Sequence, residues 1–388
     1  ARLGNPSATG LATPDTIEST IKPDSPTILL DADSGQLVPH FVDIDQATKS
    51  DDERSIMLRP VVRLKDKTRY IVAIRKVVDA DGKEIEPTAA FKALRDGGAS
   101  CHPSVDLRRD LYKDIFAKLE AAGVKKDGLQ IAWDYTTATR ENNTGWLVAM
   151  RDEALAKYGS APFKYKIDKV DENPNQYIAK RVHAKVTMPL YLSQPGPWNN
   201  GETVYPRMNL GPDGKPAQNG EFEFDVLIHI PNTIKDGTKH GLLQNGHGLL
   251  GSRFEGQNGY LAEMAGTYKW IAFSVNLMGF SEDDVPVVTA GLGGTPIALK
   301  SFIERQVQGQ LNQLLAMRFM MTTFANDPLL QVNGQSVVDA PVRAYRGDSQ
   351  GGIMGTTYMA VSTDVTRGLV GEPGMPYNLL LNRSRDYA

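Results

Sequence analysis

The sequence has a single cysteine, Cys101, among 388 residues. That excludes an intrachain disulfide and any cysteine-built metal cluster. It also lacks an excess of positive charge: 43 Lys and Arg stand against 46 Asp and Glu, a formal net charge of −3. The electrostatic footprint of a nucleic-acid binder is therefore missing. No apolar run approaches the ~18 residues that a membrane-spanning helix needs. Histidine is scarce: the six are His40, His102, His183, His229, His240 and His247, and nothing after position 247 adds another. What is present is ordinary for a globular protein, with 41% hydrophobic and 23% charged residues. The length suffices for about two or three domains. The chain opens ARLGNPSATG without an initiator methionine. Removal of an upstream export signal would leave such a start, and so would a boundary set for another reason.

Residues 1–25, rich in Pro, Ser, Thr and Gly, read as a linker or tail. Residues 26–175 read as an accessory region in which short strands precede helices. TILLDADSGQLVPHF has two apolar runs around Asp33, Ser34 and Gly35, and RYIVAIRKVVDADGKEI carries a second turn at Asp81 and Gly82. So many strands in so short a span predict a small β-sandwich resembling a bacterial immunoglobulin-like domain. The pairs Asp31 with Asp33 and Asp79 with Asp81 read as hairpin chemistry, because no bidentate glutamate follows at calcium-loop spacing. Leu107, Leu111, Ile115 and Leu119 predict one apolar helix face, with Ser104 as its N-cap.

Residues 176–388 change texture. HAKVTMPLYL and FEFDVLIHI alternate at period two, and WIAFSVNLMGF is a continuous apolar run suited to a strand buried on both faces. Phe302 to Phe324 reads as a long helix, VRAYRG as a strand, QGGIMGTTYMAVS as a helix and RGLVGEPG as another strand. Alternating strands and helices predict an α/β fold around a mostly parallel sheet.

Between VRAYR and the apolar helix lies GDSQGG, Gly347 to Gly352. A serine hydroxyl is a poor nucleophile near neutral pH and must be held beside a base and an anion-stabilising pocket. A sharp strand-to-helix turn can hold it. Gly347 and Gly351 flank Ser349 at two residues on either side, where side chains would collide, and Gly352 lets the helix approach the sheet. The helix start aims backbone N–H groups, that of Gln350 first, at a developing oxyanion. The acidic run Glu282, Asp283 and Asp284 reads as a solvated loop, since no histidine stands near it to complete a metal site.

NGHGLLGSR, LMGFSEDDV, RGDSQGGIMG and DVTRGLVGEPGMPYNLLLNRS together resemble the α/β-hydrolase superfamily. The resemblance is to its secreted bacterial esterase and lipase branch, in which an immunoglobulin-like region precedes the catalytic domain. It is firm over residues 239–384 and looser upstream. It implies hydrolysis of a carboxylic ester (lipid, small ester or polyester) through an acyl-enzyme on Ser349, without a cofactor or metal. It also implies that His247 and Gly248 form an oxyanion loop, with His247 bracing it. Leu249 then donates its backbone N–H beside that of Gln350. A secreted, periplasmic or cell-surface location follows from the same likeness.

The chain departs from that family in one respect. There the acid and histidine follow the serine, whereas here 388 − 349 = 39 residues remain, with no histidine. Asp364 and Asp386 are the only aspartates among them, and neither follows a suitable strand. Three explanations stand: a second polypeptide from the same precursor carries base and acid; the chain is an inactive fragment; or an upstream histidine such as His247 or His229 serves. A non-catalytic surface or adhesion protein on a hydrolase scaffold, and a peptidase or amidase, are the rival functions.

Overall fold

The computed structural model describes residues 3–374 apart from 47, 49, 160 and 258. Compact packing divides the chain into two units, Ala1–Asn143 and Thr144–Ala388.

The first unit is built on an antiparallel sheet. Strands β1 (Thr27–Asp31), β4 (Arg69–Arg75) and β5 (Leu129–Thr136) form it in the order β1-β4-β5, while β2 (His40–Ile44) and β3 (Ile56–Pro60) pair separately. Helices α1 (Ala89–Asp96) and α2 (Pro103–Ala121) cover one face, where Phe91, Tyr112, Ile115, Phe116 and Leu119 meet Ile28, Leu30, Ile71 and Ala73. The other face packs Leu29, Tyr70, Val72 and Ile74 against Val38, Ile44 and Ile56. The immunoglobulin-like sandwich expected from the strand count is not shown: helices cover one face of the three-stranded sheet, and only the two-stranded β2–β3 pair packs on the other. The N-terminal stretch is not a loose tail, because Leu3 and Leu11 enter the same core. The helical stripe also differs from expectation. Leu107 is 86% exposed and Leu111 41%, whereas Val105, Tyr112, Ile115, Phe116 and Leu119 are buried. A strict four-residue repeat drifts about 40° per step against a 3.6-residue turn, so Leu107 and Leu119 cannot share a face. His102, not Ser104, caps the helix: its Nδ1 accepts the Ser104 N–H at 3.3 Å. Asp31 and Asp79 accept backbone N–H groups two to four residues ahead, which is hairpin chemistry.

The second unit begins within helix α3 (Arg140–Tyr158), whose Met150 and Ala154 lie in its core. Its strands are β6 (Tyr165–Glu172), β7 (Ile178–Pro189), the hairpin β8 (Trp198–Asn199) and β9 (Glu202–Thr203), β10 (Glu221–Pro231) and β11 (His240–Gly246). Helix α4 (Gly259–Tyr268), β12 (Trp270–Val275), α5 (Val285–Leu292) and α6 (Pro296–Thr322) come next. A small hairpin, β13 (Gln331–Val332) with β14 (Gln335–Ser336), leads to β15 (Val338–Asp348), α7 (Gln350–Val361) and β16 (Gly368–Gly371). Seven strands form one sheet in the order β16-β15-β11-β12-β10-β7-β6. It is mixed rather than mostly parallel: β16, β15, β11 and β12 run parallel, and β10, β7 and β6 alternate. The strand-helix alternation that predicts parallel pairing begins only at β11, and hairpin-type connections precede it. Helix α6 buries Leu311, Leu314, Leu315 and Phe319 against Val226, Ile228, Leu242 and Phe273 on one face. Helix α4 covers the other with Leu261, Ala262 and Ala265 on Leu243 and Ala272.

On that second face β10 carries a cost. His229 is 1% exposed, and neither ring nitrogen finds a hydrogen-bond partner. Burial, reinforced by Arg181 and His183, pushes its pKa down to about 3. The unfolded chain takes up the proton near pH 6.5 while the folded chain does not, so stability present above pH 6.5 is lost as pH falls toward 3. Each unit of pH across that window removes about 1.4 kcal/mol through this group. Thermal melts from pH 7 to 4 should therefore show a falling transition, and His229→Leu should flatten it. Burial lowers His40, His240 and His247 as well, so some slope will persist. An unchanged slope in the variant would refute the assignment.

Candidate active site

Two loops leave the same end of neighbouring parallel strands. Gly246, the last residue of β11, is in register with Gly347 near the end of β15. The chain continues from the first into His247–Leu249 and from the second into Asp348 and Ser349.

Ser349 joins β15 to α7 with φ 54° and ψ −120°, a conformation that non-glycine residues rarely adopt. Such strain costs about 1–3 kcal/mol and persists only when the surroundings overdetermine it. Here they do. The Ser349 N–H donates to Gly371 O at 3.0 Å, and its carbonyl accepts the Ile353 N–H at 3.0 Å. Its side chain is exposed and forms no capping bond to the helix. The glycines around it are required by close backbone approach. A Cβ on Gly347 would lie 2.5 Å from Gly351 O, one on Gly351 2.4 Å from Gly246 O, and one on Gly352 2.0 Å from Gly371 O. Gly351→Ala should accordingly push helix α7 off β11, with a stability loss of about 3 kcal/mol or more in a denaturant melt. A melt within 1 kcal/mol of the parent would show that the turn tolerates the methyl group.

Beneath the turn stands Tyr345, which sequence reasoning missed. It is buried, packs its ring against Tyr358 at a centroid distance of 4.9 Å and a tilt of 35°, and donates its hydroxyl to Gly351 O at 2.7 Å. Arg346 was missed too. Its Nη1 donates to Asn245 Oδ1 at 2.9 Å and to the Tyr260 hydroxyl at 2.8 Å, and its guanidinium lies 4.6 Å from the Tyr260 ring centre. It also pairs with Asp348. One side chain thus ties the ends of both loop-bearing strands together. The only sequence signal was the opposite charge at i and i+2, which share a face on a strand.

His247 is 1% exposed and held at both nitrogens. Nδ1–H donates to Gly248 O at 2.7 Å, and Nε2 accepts the Leu277 N–H at 2.8 Å. Those contacts set the tautomer, and burial holds its pKa below the usual range. No ring lone pair is left to take a proton from a serine. Gly248 N–H donates to Glu255 Oε2 at 2.9 Å, and Gly251 N–H to Gly248 O at 3.2 Å. Leu249 is half-buried, packed with Leu250 toward Leu277, Phe280 and Met354. Among the described residues, nothing accepts the Leu249 N–H. Gln350 is buried and begins α7, where a helix has no carbonyl of its own to offer the first N–H groups.

The remaining histidines are placed elsewhere. His40 bonds Thr27 and Val38 O, and His102 caps α2. His183 pairs with Asp171, His229 is sealed within the sheet, and His240 sits at the opposite end of β11, bonded to Thr233 and Thr238 O. Asp364 is held by Arg318 through two bonds of 2.7 and 2.9 Å. Asp386 lies outside the described residues. The acidic run is not uniformly solvated: Glu282 and Asp283 are exposed, but Asp284 is fully buried against Arg305 at 2.5 Å. Among the described residues no group of three or more acidic, His or Cys side chains could hold a metal ion, and no helix is long and apolar enough to cross a membrane.

No protein-family model and no curated protein matches the chain. Among solved structures it is similar to acetyl xylan esterase 1 from Thermoanaerobacterium sp. JW/SL YS485, at 14% identity over 62% of this chain and 63% of that one, with a TM-score of 0.37. It is also similar to an acetyl xylan esterase from Paenibacillus sp. R4, at 17% identity over 58% of each chain and a TM-score of 0.32. A third is a CE15 glucuronoyl esterase from Teredinibacter turnerae T7901, at 12% identity over 56% and 48% and a TM-score of 0.27. The match thus spans about half to five-eighths of those chains. Likeness at this level carries no weight for activity, which rests on the site alone.

Proposed function

We propose that the protein hydrolyses carboxylic esters through an acyl-enzyme on Ser349. The observation that carries this is the exposed Ser349 hydroxyl held at φ 54° on a strand-to-helix turn whose glycines admit no side chain. In this reading Ser349 Oγ attacks the ester carbonyl and the C–O bond to the alcohol breaks, leaving an acyl-serine that water then cleaves. The backbone N–H groups of Gln350 and Leu249 hold the tetrahedral oxyanion, each worth about 3 kcal/mol in the transition state. His247 and Gly248 shape that loop rather than move protons. The base and acid come from outside residues 3–374, on a second polypeptide from the same precursor. That placement is supported by the histidines: none of those described has a hydrogen bond to Ser349, and His247 commits both ring nitrogens to Gly248 O and the Leu277 N–H. Lipid, small-ester and polyester substrates all fit the apolar surroundings of Leu249, Leu250 and Met354.

The test uses protein purified with whatever polypeptides accompany it. A fluorophosphonate probe should label the peptide containing Ser349, and p-nitrophenyl acetate should be turned over while p-nitroacetanilide is not. Anilide turnover would make the protein an amidase, and a folded preparation that never takes the label would make it a binding module. A denaturing intact-mass spectrum should show a histidine-containing companion; a lone 42.5 kDa species with esterase turnover would remove the second chain from the scheme.

A further inference from the structure

We propose that a pocket distinct from the Ser349 turn binds a neutral, hydroxyl-rich ligand, a single sugar ring stacked on Trp198. The cavity, about 310 Å³, is lined among others by Trp198, Phe222, Glu223, Asp225, Asn276 and Asp283. It opens beyond the end of β12, the same edge of the sheet from which the Ser349 turn projects. Two strand spacings separate β15 from β12, about 10 Å, and no residue of the Ser349 turn or of the His247–Leu249 loop lines this cavity.

Trp198 is presented by a built platform. It sits on the β8–β9 hairpin, which turns through Asn200 and Gly201 at φ 50° and 84°. Positive φ at both central residues is the tight turn whose twist matches the strands it joins. The approach to the hairpin is fastened as well: Arg305 Nη1 donates to Pro195 O at 3.0 Å, Gln194 Nε2 to Gly196 O at 2.8 Å and Val204 N–H to Pro197 O at 2.8 Å. Yet Trp198 is 52% exposed. A rigid hairpin holding a half-bare indole over a cavity offers a flat apolar surface for the C–H face of a ring.

Opposite that surface the chemistry is rich in acceptors. The carboxylates of Glu223, Asp225 and Asp283 line the cavity. Each already has a donor: Lys166 at 2.9 Å, Lys185 at 2.7 Å and Asn276 at 3.1 Å respectively. A carboxylate accepts about four hydrogen bonds, so acceptor sites remain while most of the charge is balanced. An anion finds no free cation in this lining, because Arg305, which also borders the cavity, is already paired with Asp284. A cation would gain from aromatic and carboxylate groups together, but Lys166, Lys185 and Arg253 already stand against two of the three carboxylates, Glu223 and Asp225. A neutral ligand with several hydroxyl donors satisfies both halves. The volume, near the lower end for small-molecule pockets, admits one ring rather than a chain of them.

Binding is measured on Ser349→Ala protein, so that the result does not depend on ester hydrolysis. Methyl β-xyloside, methyl β-glucoside and cellotetraose are titrated by tryptophan fluorescence and calorimetry, with choline and acetate as charged controls. At least one sugar should give a saturable response, weakened tenfold or more by Trp198→Ala and severalfold by Glu223→Gln. Both substituted side chains are exposed, and unchanged melts will confirm that the fold is intact. No response to any of the sugars, a response that survives Trp198→Ala, or tighter binding of choline would overturn the proposal.

Discussion

Replacing Ser349 by alanine should lower ester turnover by about 10⁴-fold or more, while leaving the melting curve where it was. The size follows from what remains. Without the hydroxyl no acyl-enzyme can form, and only the oxyanion donors and substrate binding still act on a water-driven reaction. Stability should hold because alanine keeps the Cβ, so the strain at φ 54° is the same in both proteins, and the exposed hydroxyl caps nothing. The measurement is kcat on a p-nitrophenyl ester, read beside probe labelling and a melt. Turnover retained within tenfold in a fully folded variant would move the nucleophile elsewhere and end the case for Ser349. A simultaneous fall in melting temperature would mean instead that the side chain has a packing role the structure does not show.

Part of this architecture is legible in the sequence alone. The Ser349 turn could be read because its demands are local: a strand, a serine flanked by glycines at two residues, and an apolar helix all lie within about twenty positions. Strands β7, β10 and β12 were legible for the same reason, since period-two alternation and continuous apolar runs are properties of a single segment. The first unit was misjudged where the deciding contact was remote. Strands β1 and β4 were placed, but whether a second sheet or two helices cover Ile28 and Ile71 depends on α1 and α2, which are remote in sequence from both strands. The acidic run illustrates the same limit. Three consecutive acids look like a solvated face, and only the return of α6 brings Arg305 against Asp284. Tyr345 gave no signal either, because its role as the post beneath Gly246, Gly347 and Gly355 depends on the register of β11 against β15. Local grammar located the Ser349 turn; the packing that holds it is non-local.

That packing makes Asp284→Ala the most damaging substitution expected away from the turn, at about 3–5 kcal/mol of stability. Asp284 is fully buried and fills its acceptor sites. Oδ1 takes Arg305 Nε at 2.5 Å, while Oδ2 takes Gly279 N–H at 2.8 Å, Ser281 N–H at 3.0 Å and Ser281 Oγ–H at 2.7 Å. Truncation leaves three donors without an acceptor and a buried guanidinium with Pro195 O as its remaining partner. Removing the other member is milder. Arg305→Met leaves a buried carboxylate that still has its three donors, so about 2 kcal/mol should be lost. The double variant should be more stable than Asp284→Ala alone, because the unpaired cation is gone. Urea melts of the three proteins decide the order, and Arg305→Met proving as harmful as Asp284→Ala would show that the ion pair, not the loop's N–H groups, is what the carboxylate serves. The same loop carries Leu277, whose N–H fixes the His247 tautomer at 2.8 Å. Asp284→Ala should therefore reduce ester turnover at a temperature where every variant is folded, and Arg305→Met should reduce it less.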